Sequence, residues 1–270
     1  NSSRMVQLVC WSAKSEQSLN AYGDKLIAYL DKTKGADLAD VAYTLQTARK
    51  DFNHRRFVVA AGAADLVAQA ASSTTFRANT KLLKEKAQNV VFLFPGQGDQ
   101  YVNMCRSLYE TEQVFRDAMD ECAGILQETL KENILDVIYP KTVNEQAADK
   151  IKNTKYSQPA LFSIGYALGK LWMSWGINPA AFVGHSIGEF VSAYFAGVFS
   201  LEDGLKLIAA RGSMMGSLPG GSMLSVRMGY EEIRPYLSDT IALAAVNSPQ
   251  LCVVAGSDEA ISALSETLNA

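Results

Sequence analysis

Only two histidines occur in the 270 residues, His54 and His185. A reaction that needs an imidazole base therefore has two candidates in this sequence. Cysteine is also scarce. Cys10, Cys105, Cys122 and Cys252 are scattered, with no C-x-x-C pair. That spacing argues against a zinc site and against a disulfide framework, so four reduced thiols and no metal are expected in a cytoplasmic protein. Long apolar runs are missing: Gly, Ser, Lys or Pro interrupts each one before it could span a bilayer, and no membrane segment is expected. The first residues, NSSRMVQLVCW, lack the apolar core of a secretory signal and an initiator methionine, and read as the start of an excised or processed piece. No basic block is interleaved with aromatics, and the formal net charge is −3, which argues against a nucleic-acid partner. With 48% hydrophobic and 20% charged residues, the chain can bury a sizeable core as one large domain or two ordinary ones.

The pattern along the chain is α/β. VQLVCWS (6–12) and HRRFVVAAG (54–62) read as strands. SEQSLNAYGDKLIAYLDKT, DLADVAYTLQTAR and AADLVAQAAS read as helices, with Leu19, Leu26, Ile27 and Leu30 on one face of the first. A polar connector, SSTTFRANTKLLKEKAQN (72–89), marks a domain boundary, so residues 1–89 form a small α/β domain. NVVFLFPG (89–96) is a continuous apolar strand, as in a parallel sheet buried on both faces. A long helical pattern then runs to about Glu132, and SQPALFSIGYALGKLWMSWGI (157–177) is a strongly apolar helix. The strand PAAFVG and the helices SIGEFVSAYFAGVF and SLEDGLKLIAARGSMMGSL follow, the last with Ser200 as N-cap ahead of Asp203. Over residues 90–221 the order strand, helix, strand, helix is the signature of a doubly wound parallel sheet, an α/β-hydrolase-like α/β unit. After Pro219-Gly220-Gly221, residues 222–270 follow the order β-α-β-β-α, a ferredoxin-like unit short of its last strand.

Three stretches carry chemistry. In AFVGHSIGEF, an apolar strand enters Gly184-His185-Ser186-Ile187-Gly188 and a helix leaves it. Gly-x-Ser-x-Gly in that context holds a serine nucleophile on a sharp turn, although a serine N-cap on a glycine-rich turn is the simpler alternative. As a nucleophile, Ser186 would have the backbone N–H of Ile187 beside its oxyanion. FPGQGDQ (94–100) ends the other apolar strand, and Gln97 between two glycines can offer a second N–H. A plain glycine turn is the alternative there. Arg211 is the only charge in LIAARGSMMGSLPGG, and a guanidinium on an apolar wall suits a carboxylate ligand, against an ordinary helix-end arginine. His185 adjoins Ser186 and points elsewhere on a turn, which makes it a poor base; it reads as a hydrogen-bonded structural or a site-lining histidine. His54 reads as a surface residue of the N-terminal unit.

Together these stretches resemble the malonyl-CoA–type acyltransferases, in particular the acyltransferase domains of modular type I polyketide synthases. The residues that carry the resemblance are FPGQGDQY (94–101), SQPALFSIGYALGKLWMSWGI (157–177), GHSIGEF (184–190), AGVFSLEDGLKLIAARG (196–212) and NSPQLCVVAG (247–256). Residues 1–89 are similar to the linker domain between a ketosynthase and its acyltransferase. The resemblance implies that Ser186 is acylated, that the N–H groups of Gln97 and Ile187 form the oxyanion hole, that Arg211 binds the free carboxylate of a dicarboxylic acyl unit, and that His185 lines the site. It implies transfer of a malonyl-type unit from coenzyme A, with no bound cofactor, to the phosphopantetheine thiol of an acyl carrier protein. The ketosynthase domain and the C-terminal remainder of the acyltransferase would be further partners. The family's base histidine would fall beyond Ala270, so the chain is expected to be the N-terminal part of the domain, cut before its base. Ile187 favours malonyl over methylmalonyl in such a family without deciding it. Two other readings stand beside this one: a serine hydrolase or thioesterase, which would not need Arg211, and an inactive docking fragment.

Overall fold

The structure is a computed structural model, and it describes residues 4–72, 80–82 and 89–269. It is a mixed α/β fold with three small sheets, each backed by its own hydrophobic core.

The N-terminal unit comprises β1 (Gln7–Ala13), α1 (Glu16–Lys32), α2 (Leu38–Thr47), β2 (His54–Ala60), α3 (Ala63–Ala71) and β3 (Thr80–Leu82). Its strands are antiparallel in the order β1-β2-β3, with Val9 opposite Val58 and Arg56 opposite Thr80. Alternation puts Val9, Trp11, Ala13, Val58 and Ala60 on one face, where they meet Leu19, Leu26, Leu30 and Leu66 of the helices. Strand β3 falls inside the stretch read as a polar connector. It is three residues long, too short for a period to show, and pairing with β2 defines it. The rest of that connector, 73–79 and 83–88, lies outside the described residues.

The central unit begins with β4 (Val91–Phe94), continues through α4 (Arg106–Thr111), α5 (Gln113–Leu130), α6 (Ile134–Ile138), α7 (Glu145–Lys152) and α8 (Thr154–Ser174), and reaches β5 (Ala181–Gly184), α9 (Gly188–Phe195) and α10 (Leu201–Gly216). The two strands are parallel neighbours, with Phe92 opposite Phe182 and Phe94 opposite Gly184. Phe94 is buried among α8 and α9, whereas Leu93 is 75% exposed, so β4 is covered on one face only among the described residues, not on both as its apolar run implied. Beside it lies an apolar groove of about 520 Å³ between β4 and α8, lined by Leu93, Ile164, Leu168, Trp172 and Ile177 among others. The long helix expected to run to about Glu132 is broken. Glu112 is extended and takes a two-pronged hydrogen bond from Arg4, at 2.6 and 2.9 Å, a long-range contact with no local sequence signal. Helix α8 is the centre of the unit and packs between α5 and α10.

The C-terminal unit comprises β6 (Ser222–Val226), α11 (Tyr230–Ile233) with a short 3₁₀ turn, β7 (Ile241–Ser248), β8 (Leu251–Gly256) and α12 (Asp258–Asn269). The antiparallel order is β6-β8-β7, and Val226, Ile233, Cys252, Val254, Ile261 and Leu264 fill its core.

Candidate active site

The two parallel strands end side by side, and the loops leaving their C-terminal ends build the site. The ladder continues one step beyond β5, where His185 N–H donates to Phe94 O at 3.0 Å. Ser186 follows with φ of +52°, a left-handed conformation that a non-glycine residue rarely adopts. Strain of this kind costs on the order of 1–3 kcal/mol and persists only where the surroundings impose it. Here the turn must reverse from strand into α9 at once. A Cβ at Gly184 would lie 2.2 Å from Glu189 N, and one at Gly188 would lie 2.2 Å from Phe94 O. Both glycines are therefore required by close backbone approach, the first within the turn and the second against the β4 loop. Ser186 is exposed at the tip.

The same contact brings the Pro95–Gln97 loop against the turn. Among the described residues, the N–H groups of Gln97 and Ile187 donate to no acceptor. The two sequence-predicted donors thus border one turn with their hydrogen-bonding capacity unused. Ile187 as a whole is 1% exposed, and its side chain belongs to the core.

Arg211 lies in α10, whose buried face, Leu205, Ile208, Ala209 and Gly212, packs along α8. The residue is half-buried. Its Nη1 donates to Gln158 Oε1 at 2.7 Å, and the guanidinium carbon lies 5.9 Å from the centre of the Phe190 ring, one turn of α9 beyond Ser186. Gln158 in turn donates through Nε2 to Gln97 Oε1 at 3.3 Å. Gln97, Arg211 and the elbow helix are joined in this way across three elements.

Comparison with known proteins gives the family. The acyl transferase domain family matches residues 91–270, two thirds of the chain. The chain belongs to that family. Residues 7–70 of this acyltransferase chain match a second family, described as CurL-like, PKS C-terminal. Mycoketide-CoA synthase of Mycobacterium tuberculosis is 37% identical over 267 residues, which are 96% of this chain and 6% of that protein. Polyketide synthase GfsE of Streptomyces halstedii is 36% identical over 279 residues, covering 97% of this chain and 7% of that protein. The solved acyl transferase domain of ZmaA superposes with a TM-score of 0.90 at 42% identity, covering 99% of this chain and 63% of the other. That of SpnD, in complex with 2-(pent-4-yn-1-yl)malonyl, gives 0.84 at 30% identity, covering all of this chain and 63% of the other. The acyltransferase chain therefore spans a small part of its curated relatives and less than two thirds of these structures.

Within this acyltransferase fold, Ser186, Ile187, Gln97 and His185 meet at the end of the parallel strands, and Arg211 joins them through Gln158. His185 is exposed and leans on the β4 loop: a Cβ at Gly96 would lie 2.5 Å from its Nδ1, while its Nε2 lies 3.4 Å from Asn247 Oδ1 of the C-terminal unit. His54 is in β2, in a different sheet. Sequence reading missed Gln158, Phe190 and Asn247. Gln158 carried a usable signal in its polar amide within a strongly apolar helix; the structure buries it wholly, and a buried amide must find partners. It stands in an apolar helix next to Pro159, and the apolar pattern drew attention away from it. No group of acidic, histidine and cysteine side chains among the described residues could hold a metal ion. No helix among them is long and apolar enough to cross a membrane.

Proposed function

We propose that this chain carries the acyl-loading site of an enzyme that moves a malonyl-type unit from coenzyme A to the phosphopantetheine thiol of an acyl carrier protein. The observation that carries the reading is the left-handed Ser186 on a glycine-flanked turn, bordered by two N–H groups without acceptors. Ser186 Oγ attacks the thioester carbonyl carbon as its proton passes to a base. Negative charge develops on the carbonyl oxygen, and the Gln97 and Ile187 N–H groups receive it. The C–S bond then breaks, the coenzyme A sulfur takes the proton, and an ester on Ser186 remains. The carrier thiol attacks that ester by the same route and frees the serine. Arg211 binds the distal carboxylate, since among the described residues its Nε and Nη2 have no acceptor and can grip two carboxylate oxygens. The malonyl derivative bound by the SpnD domain supports a dicarboxylic unit. Malonyl rather than methylmalonyl is the proposed substrate, on the aliphatic Ile187, although that side chain is buried.

The base is not among these residues. His185 adjoins the nucleophile and is engaged with Asn247, and His54 belongs to another sheet. This favours a second reading for the chain taken alone, in which it is a docking fragment that becomes competent when another segment supplies an imidazole. The test follows malonyl loading by intact mass and peptide mapping, for the chain alone and joined to that segment. Loading is expected at Ser186 only in the joined form, and Ser186→Ala should abolish it because the bonding atom is gone. Rapid loading of the chain alone, or loading that survives Ser186→Ala, would overturn the reading.

A further inference from the structure

The Gln158 side chain is wholly buried and makes three contacts of different kinds. Its Oε1 accepts from Arg211 Nη1 at 2.7 Å, and its Nε2 donates to Gln97 Oε1 at 3.3 Å and lies 3.4 Å from Met215 Sδ. The amide cannot be turned over without loss. A guanidinium only donates, so the atom facing Arg211 must be the oxygen, which leaves the NH₂ for Gln97. The backbone fixes this meeting. Gln158 is in the second turn of α8, and a Cβ at Gly212, next to Arg211, would lie 2.5 Å from Thr154 O of the same helix. The helices touch backbone to backbone where the two side chains join.

We propose that Gln158 is a positioning residue that aims Arg211 at the acyl carboxylate and ties it to the Gln97 loop. The inference rests on the function proposed above. Two properties suit an amide to this place. It occupies one N–H of Nη1 while the guanidinium carbon lies 5.9 Å from the centre of the Phe190 ring, which leaves the Nε and Nη2 nitrogens to donate to a ligand. It also carries no charge, so the cation keeps its full attraction for a substrate carboxylate. A glutamate there would keep the hydrogen bond and cancel the charge. The second arm, to Gln97, couples carboxylate capture to the loop whose N–H faces the developing oxyanion.

The test compares kcat/KM for malonyl-CoA and acetyl-CoA in the joined, loading-competent form, for the parent protein and for Gln158→Glu, Gln158→Met and Arg211→Ala. Thermal unfolding is recorded for each. The malonyl-to-acetyl ratio is expected to fall about tenfold or more in Gln158→Glu, because a charge-assisted contact with the ligand is replaced by one inside the protein. In Gln158→Met the KM for malonyl-CoA is expected to rise about threefold to tenfold and the KM for acetyl-CoA by less, as the fork loses its acceptor. Should Gln158→Met fail to fold, Gln158→Glu decides, since it preserves shape and its charge is met by Arg211. A ratio that falls in Arg211→Ala but in neither folded Gln158 variant would overturn this inference alone. A ratio unmoved in Arg211→Ala would overturn the carboxylate site itself, and this inference with it.

Discussion

Replacing Gly188 by alanine sets two effects against each other. Alanine favours a helix over glycine by at most about 1 kcal/mol, so α9 alone would gain from the change. The new Cβ, however, would lie 2.2 Å from Phe94 O and 2.7 Å from both Phe94 C and Pro95 O. Carbon–oxygen contacts normally close no further than about 3.3 Å, so the turn and the loop must part by about 1 Å. Backbone stands on both sides, and no side chain can rotate away. Overpacking of this kind costs about 1–3 kcal/mol, which exceeds the helix gain. The larger consequence is in rate. The parting moves the Gln97 N–H relative to Ser186, and a misplacement of about 1 Å costs on the order of 10² in turnover. Pre-steady-state malonyl loading of the joined form, followed by quenched mass spectrometry, measures the rate, and thermal unfolding measures the stability. Gly188→Ala is expected to remain folded, slightly less stable, and about a hundredfold slower. Loading at the parent rate by a variant of equal or greater stability would refute the close-contact argument.

Three further outcomes follow from contacts outside the turn. Ser200 Oγ accepts from Asp203 N at 3.1 Å as the N-cap of α10, and Ser200→Ala should lose about 1 kcal/mol in chemical denaturation. The Glu132 carboxyl, bonded by the Lys150 ammonium and by the Tyr156 hydroxyl at 2.8 Å, is held below the usual carboxylate range. A lowered folded-state pKa gives stability that is complete above the unfolded carboxylate pKa and is lost as pH falls through the folded one. Glu132→Gln should therefore lower the melting temperature at neutral pH and lose that difference in acid. Burial pushes the Cys122 thiol up to about 12, so iodoacetamide at mildly alkaline pH should leave it unmodified in the native protein and label it after unfolding.

Much of this architecture could be read from particular residues. Apolar alternation in VQLVCWS and HRRFVVA placed β1 and β2, and the run VVFLF placed β4, because period and burial are local properties. The turn at Ser186 was legible because its chemistry demands glycine at fixed spacing. What escaped depends on distant partners. Strand β3 exists through its pairing with β2, and the break at Glu112 goes with a hydrogen bond to Arg4, 108 residues away. Gln158 was hidden by the apolar helix that carries it, since its partners, Gln97 and Arg211, come from two other elements. Asn247 begins the stretch NSPQLCVVAG, yet nothing local says that it meets His185 from another unit.

The central claim is transfer through Ser186 rather than hydrolysis, and single-turnover label tracing tests it most directly. The joined form is given malonyl-CoA labelled in the acyl group, then mixed with carrier protein bearing phosphopantetheine or with buffer. The account predicts label first as an ester on Ser186, persistent in buffer, and then passing to the carrier thiol when that is added. Release of free malonate at the same rate with and without the carrier would contradict it and make the site that of a hydrolase.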